Sequence, residues 1–357
     1  MILNIFKVFG LSAFAFFLAI SLTPILTHYL YKYQMWKKNS RSDISNPVSD
    51  DFRKIHNDTG EINTPRIGGV LIWFTVLFLS LFFWLLHIIL PSNLTIKLNF
   101  LSRGQTWLPL FVLIVSSLVG LADDLIQIYG NKKNIFFSDA HGKPSIPRKV
   151  RIMAIIIIGA LAGWWFFYKL GVSGIIIPFF GEINLGFLFI PFFIITMLAV
   201  FSGGIIDGID GLSGGVMASI FSAYAGIAFF QNQIDLAAFC AVLVGGILAF
   251  LWFNIPPARF YMGETGMLGL TATITVVAFL TKAVAVLPII AFPLAAASGS
   301  AIIQMVSKKY FGRKVFRVAP IHHHFEALGW PSYKVTMRFW VVSVVLAIIG
   351  MVITLVG

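Results

Sequence analysis

Two carboxylates, Asp207 and Asp210, stand three residues apart in the run Gly203-Gly204-Ile205-Ile206-Asp207-Gly208-Ile209-Asp210-Gly211-Leu212-Ser213-Gly214-Gly215, among six glycines and between two long apolar stretches. A carboxylate costs roughly 2.5 kcal/mol or more at the centre of a bilayer. Glycine admits backbone conformations and close approaches that other residues block. Two acids on such a corner suit a membrane-edge site for a cation or a polar substrate. A tight turn with two solvated aspartates is the plainer reading of the same residues.

Further polar clusters carry compatible chemistry. Asp123 and Asp124 close the third apolar stretch. Adjacent carboxylates repel unless a cation or base neutralises them, and on a helix they point about 100° apart, which gives them different roles. A solvated acidic helix end is the alternative. Between Phe253 and Gly266, prolines 256 and 257 end a helix, Gly263 and Gly266 flank Glu264, and Asn254 and Tyr261 stand nearby. Glu264 is a candidate metal ligand, and magnesium suits oxygen ligands. Asn254 is a polar handle. Tyr261 offers a face for stacking on a planar ring, although an interfacial aromatic belt is the commoner use of such a residue. The segment Pro320-Ile321-His322-His323-His324-Phe325-Glu326 holds three consecutive histidines, which cannot all face one metal in regular structure. As donors they suit pyrophosphate oxygens or the orientation of a substrate; a solvated loop is the plainer alternative.

The elements that must position these residues are membrane spans. The 357 residues are 58% hydrophobic and only 11% charged, against about 25% charged in a soluble domain. Ten apolar segments are long enough, or nearly so, to span, at 3–29, 67–90, 107–123, 152–170, 186–206, 213–231, 234–253, 266–281, 283–306 and 335–356. At that depth an open chain must be helical, so the fold class is an all-α polytopic membrane protein in one domain, 1–357. The first apolar run reads as a retained span. The 171–185 connection reads as a short interfacial hairpin. One cysteine, Cys240, leaves no disulfide and no cysteine-based metal site within a chain. The net charge of +12 reads as loop charge that fixes orientation and meets anionic lipid or substrate, not nucleic acid.

Basic residues alternate between loops. One set of loops holds Lys32, Lys37, Lys38, Arg41, Arg53, Lys54, Arg66, Lys132, Lys133, Lys143, Arg148, Lys149, Arg151, Lys308, Lys309, Arg313, Lys314, Arg317 and Lys334; the other holds little beyond Lys97, Arg103, Lys169 and Lys282. The positive-inside rule then places the first set in the cytoplasm and both termini outside. All the polar motifs fall on the five cytoplasmic loops. Such a set of acids, histidines and cations beside a bilayer suits transfer between a phosphorylated soluble donor and a lipid acceptor, which needs charge neutralisation and in-line positioning.

These motifs resemble the polyprenyl-phosphate N-acetylhexosamine-1-phosphate transferases over nearly the whole chain. The matching stretches are Thr64-Pro65-Arg66-Ile67-Gly68-Gly69, Asp123-Asp124, Asp207-Gly208-Ile209-Asp210-Gly211-Leu212, Asn254 through Gly266, and Pro320 through Glu326 followed by Gly329-Trp330-Pro331. The triple-histidine form points to the muramoyl-pentapeptide branch. The resemblance implies a magnesium-dependent enzyme of the bacterial inner membrane, a homodimer surrounded by lipid, with periplasmic termini and its active site on the cytoplasmic face. It implies transfer of phospho-MurNAc-pentapeptide from UDP-MurNAc-pentapeptide to undecaprenyl phosphate, giving lipid I and UMP in peptidoglycan synthesis. The implied roles are activation of the lipid phosphate by Asp123 and its binding by Asp124, with magnesium and diphosphate held by Asp207 and Glu264. Gly208, Ile209, Asp210, Asn254 and Tyr261 would form the uridine pocket. His322, His323 and His324 would meet donor phosphate or sugar, His323 and His324 foremost, with His324 counted as catalytic beside Asp123, Asp124 and Asp207, and Lys149 and Arg151 would supply the basic pair.

Departures from the family pattern surround the donor site: Glu264 replaces an aspartate, Gln127 a lysine and Gly204 an asparagine, and the lysine before Thr64 is absent. The nearest competing reading is the same chemistry with UDP-GlcNAc or a related UDP-sugar. A secondary transporter and an inactive paralogue are the competitors from other classes. Both a direct attack of the lipid phosphate on the β-phosphate and a two-step route through an aspartyl-phosphate are compatible with the sequence.

Overall fold

The structure is a computed structural model and describes residues 1–36, 64–102, 104–130 and 144–357. Of the loop residues named above, Lys37, Lys38, Arg41, Arg53, Lys54, Arg103, Lys132, Lys133 and Lys143 lie outside the described residues. The chain is a multi-pass membrane protein. Among the described residues nine helices are long and apolar enough to cross a bilayer, and a bent pair makes a tenth.

In chain order the elements are α1 (Ile2–Lys32) and α2 (Val70–Ile89), the short α3 (Asn93–Leu98), α4 (Trp107–Tyr129), α5 (Arg148–Lys169), β1 (Gly174–Ile177) and β2 (Gly181–Asn184). Then come α6 (Gly186–Ile206), α7 (Leu212–Phe230), α8 (Ile234–Asn254), α9 (Gly263–Leu280) and the bent pair α10 (Val284–Ile290) and α11 (Phe292–Phe311). The short α12 (Ile321–Ala327) and the long α13 (Ser332–Val356) close the chain. The expected hairpin is present: β1 and β2 pair antiparallel, with Gly174 opposite Asn184 and Ile177 opposite Gly181. Its turn residue Phe179 donates its N–H to the carbonyl of Gly357 at 3.4 Å, so the hairpin lies against the end of α13.

Two spans differ from the sequence expectation. The third does not end at Asp123: α4 runs on to Tyr129, and Asp123 and Asp124 lie inside it, 0% and 2% exposed. Leu125, Ile126 and Ile128 continue the apolar pattern, and the helix can carry the acids because neighbouring donors satisfy them, as described below. The expected ninth span, 283–306, is broken instead of straight. Its halves meet at 79°. Ala291 at the break is not helical, and Pro293 occupies the first turn of the second half. A proline there lacks the N–H that would continue the first half and clashes with the preceding turn.

Helices α7, α8 and α9 form the core and the others enclose them, so these three carry the least lipid-facing surface. Tyr224 and Phe221 on α7 and Phe239 and Phe250 on α8 are wholly buried. Threonines within and just after α9 bond back to its own carbonyls: the hydroxyls of Thr271, Thr273 and Thr281 donate to carbonyls four residues back at 2.6, 2.7 and 2.9 Å. At one end of α8, Lys7 donates to the Asn99 carbonyl at 2.8 Å and pairs with Asp235 at 2.5 Å. That pairing lets a cation sit 7% exposed within the first span. The polar motifs gather at the opposite end of α8, where Asn254 closes the helix. At 1.5 Å per residue the two ends are about 30 Å apart.

Candidate active site

Asp123 is held from both sides. Its Oδ1 accepts from the Ser145 hydroxyl at 3.0 Å and the Ile146 N–H at 2.7 Å. Its Oδ2 accepts from Gln127 Nε2 at 2.8 Å and lies 3.4 Å from an Arg151 guanidinium nitrogen. Gln127 is one helical turn further along α4, on the same face. Arg151, in the first turn of α5, is therefore the cation nearest this buried acid among the described residues. The same guanidinium nitrogen donates to Glu264 Oε1 at 2.8 Å. One cation thus bridges two carboxylates that would otherwise repel.

Glu264 belongs to the first turn of α9, and Asp124 fixes that turn from α4. Asp124 Oδ2 accepts the Thr265 N–H at 2.9 Å, so it serves α9 as an N-terminal cap contributed by another helix. The helices approach closely here because Gly120 has no side chain: a Cβ on it would overlap the Glu264 carbonyl. Glu264 also has Asp123 and Asp207 as neighbouring negative charges, and Arg66 as a second positive one. The acids expected on three separate loops are therefore neighbours. Among the described residues no group of three His, Cys, Asp or Glu side chains is placed to hold a metal ion by itself.

The glycine loop is tied down by side chains on its flanks. Asp207 Oδ1 accepts from the Ser213 hydroxyl at 2.7 Å, and Asp210 Oδ2 accepts the Ala258 N–H at 3.0 Å. Gly211 takes a left-handed conformation (φ 75°) before α7, which only glycine adopts without strain. Its N–H donates to Asn254 Oδ1 at 3.0 Å, and Asn254 Nδ2 donates to the Phe260 carbonyl at 2.9 Å. Asn254 is 3% exposed and clamps two loops together. On the far side of residues 260–262, the Thr64–Gly69 segment pairs through its backbone: Tyr261 N–H to Pro65 at 2.7 Å, Gly68 N–H to Tyr261 at 2.9 Å and Gly69 N–H to Met262 at 2.9 Å.

This placement of Asn254 sets an expectation. Asn254→Ala leaves a buried N–H and a buried carbonyl without their partner, at about 1–3 kcal/mol per group. The protein in detergent should unfold at clearly lower denaturant or temperature. Unchanged stability with weakened uridine-nucleotide binding would instead put the Asn254 side chain on substrate.

The three histidines divide. His322 and His323 are buried on α12 and turn to the glycine loop: a Cβ on Gly208 would stand 2.8 Å from His323 Nε2 and 3.1 Å from His322 Nε2. His324 turns the other way. Its Nδ1 accepts the Arg317 N–H at 3.2 Å, and its ring packs on Phe316 with centroids 5.5 Å apart. The basic pair divides for a similar reason: residues two apart on a helix point to different sides, so Arg151 reaches the acids while Lys149 stands exposed.

Side chains that the sequence did not single out complete the cluster. Ser145 and the Ile146 N–H close over Asp123 from the segment before α5, and no local pattern marks them. Gln127 stands where the family pattern has a lysine, and its i+4 spacing from Asp123 is the sequence signal of this contact. Arg66, Ser213 and Thr265 meet the acids, and Glu326 and Ser332 stand behind His323.

Residues 106–282 match the family model described as glycosyl transferase family 4. The chain is 32% identical over 380 residues to a phospho-N-acetylmuramoyl-pentapeptide-transferase of Pelagibacter ubique, an alignment covering 98% of this chain and 94% of that protein. It is 33% identical over 340 residues to the protein of that description from Geobacillus sp., with 94% of each covered. A third, from Chloroflexus aurantiacus, is 33% identical over 307 residues, 83% of this chain and 78% of its own length.

Proposed function

We propose, from the premise that this chain belongs to the phospho-N-acetylmuramoyl-pentapeptide-transferase family, that it moves phospho-MurNAc-pentapeptide from its UDP carrier onto undecaprenyl phosphate, releasing UMP and forming lipid I. The observation that carries this reading is the Arg151 bridge. A guanidinium spans Asp123 and Glu264, and its Nε is buried with no hydrogen-bond partner among the described residues. A buried unpartnered donor is costly, and a phosphate oxygen is a strong, charge-assisted acceptor for a guanidinium.

Magnesium fits the donor set by its chemistry, since the site offers carboxylate oxygens and no cysteine. Magnesium is usually held by one or two carboxylates plus waters and substrate phosphates, not by an all-protein cage. Asp207 and Glu264 are the residues that would hold it. When bound it would neutralise the charge of the donor's diphosphate. Among the described residues Asp123 has three short contacts, and its contact with Arg151 is the longest. Arg151 is thus the donor that turns to a phosphate oxygen with least disturbance, which leaves Asp123 Oδ2 to accept a proton from the lipid phosphate. Asp124 holds the Glu264 turn in place through Thr265. Gly208, Ile209, Asp210 and Tyr261 form the wall for the uridine, clamped by Asn254, and His322 and His323 meet the donor's phosphates. In this reading the five polar loops are cytoplasmic, the termini and the hairpin lie on the outer side of the inner membrane, and the enzyme works as a homodimer.

The experiment is UMP release by the purified protein in detergent, with UDP-MurNAc-pentapeptide, undecaprenyl phosphate and magnesium, beside UDP-GlcNAc as the rival donor. Release is expected to need lipid, metal and the muramoyl donor. Turnover with UDP-GlcNAc alone would keep the chemistry and overturn the donor assignment.

A further inference from the structure

The geometry points to a positioning pair that the motif reading passes over: Glu326, anchored by Ser332, fixes the ring angle and tautomer of His323 and so presents His323 Nε2 to the donor's phosphates at the glycine loop. This rests on the donor reading proposed above. His323 and Glu326 are three residues apart on α12, hence on one face, and both are almost wholly buried. His323 Nδ1 lies 2.7 Å from Glu326 Oε2. The other carboxylate oxygen accepts from the Ser332 hydroxyl at 2.6 Å. Ser332 is the first residue of α13, so the carboxylate is fastened at two points by two elements.

An ionised carboxylate only accepts hydrogen bonds. Nδ1 must therefore carry the hydrogen, and the hydrogen bond at one imidazole nitrogen decides the state of the other. Nε2 then presents its lone pair in the neutral ring and an N–H in the cation. Its direction is fixed too, because it faces Gly208, one residue from Asp207, at a distance that a Cβ would crowd. Glu326 does not itself reach the loop. It acts through His323, whereas His324 on the same helix has no such partner among the described residues and bonds to the backbone of Arg317.

The test uses the full chain with histidine labelled with nitrogen-15. The His323 resonances, among seven histidines, are identified by their loss in His323→Gln. The neutral ring should be protonated at Nδ1 in the unaltered protein and should shift towards the Nε2 form, or a mixture, in Glu326→Ala. In parallel, UMP release is measured for Glu326→Ala, His323→Gln and the double variant. Orienting partners of functional histidines are worth roughly 10- to 100-fold in metal sites, and each single change should cost about that much here. The double variant should be no worse than the worse single one, because Glu326 has nothing left to position. A pair that merely staples α12 to α13 would leave the tautomer unmoved or make the losses multiply, and either result overturns the inference. Should Glu326→Ala fail to fold, Ser332→Ala gives the smaller perturbation, with recovery expected in Ser332→Thr and failure of recovery counting against the pair. A tautomer that switches in a protein releasing no UMP with any donor supports the positioning geometry and overturns the transferase reading.

Discussion

Arg151→Met is expected to destabilise the detergent-solubilised protein by about 3 kcal/mol and to remove measurable UMP release. Breaking a buried ion pair from one side costs about 3–5 kcal/mol, because the remaining charge is left without compensation. The lower end applies here. Asp123 is fully buried, but the Arg151 side chain is 21% exposed and that of Glu264 34%, so water takes up part of the loss. The functional loss is larger than the stability loss, since the change removes the guanidinium proposed for the phosphate and leaves Asp123 and Glu264 to repel each other. Arg151→Lys should recover most of the stability, because a single guanidinium nitrogen meets both carboxylates now and an ammonium can take its place, but little activity, because the ammonium lacks the further N–H groups, the buried Nε among them, that are proposed for the phosphate. Chemical unfolding and single-turnover kinetics on the three proteins check this. Arg151→Met with undiminished stability would mean that the bridge contributes nothing in solution.

Asp123→Asn is the second large effect, a fall in UMP release of about 10²–10⁴-fold, the usual range for losing a positioned proton acceptor. The substitution preserves shape but turns one acceptor oxygen into an NH₂. The amide must then point that group at Ser145 and Ile146, or at Gln127 and Arg151, of which the first three donate to the carboxylate now and Arg151 faces it as a cation 3.4 Å away. Affinity for the UDP donor, measured by calorimetry without lipid, should change by less than about threefold, because Asp123 is assigned to the lipid phosphate; changes this small correspond to under 1 kcal/mol. Donor binding that collapses together with turnover would move Asp123 into the donor pocket.

How much of this was legible in the sequence differs between elements. The apolar runs set α6, α7 and α8 almost to the residue, because a span must be helical and its ends are marked by glycine, asparagine or charge. The hairpin was legible from Gly174, the isoleucines and Gly181. The length of α4 was not, since two consecutive acids read as a helix end until it is known that Ser145, Ile146 and Gln127 satisfy one of them and Thr265 the other. The break at Ala291 was hidden inside an apolar run whose hydropathy is indifferent to direction.

For the site, residue types and order were fixed by the chain itself: the acids at 123, 124, 207, 210 and 264, the histidines at 322–324, and membership of a family whose relatives are about a third identical to this chain over the aligned length. Pairings were decided only by the tertiary structure. Arg151 rather than Lys149 meets Asp123 and Glu264 because a helix turns its side chains by about 100° per residue. His322 and His323, not His324, meet Gly208 for the same reason. Asp124 caps a helix 139 residues further along the sequence, at Gly263, through a bond that no local pattern announces. A sequence records which groups can donate, accept or carry charge. Only the packing of α4, α5, α7, α9 and α12 at one end of the bundle decides which of them are within 3 Å of one another.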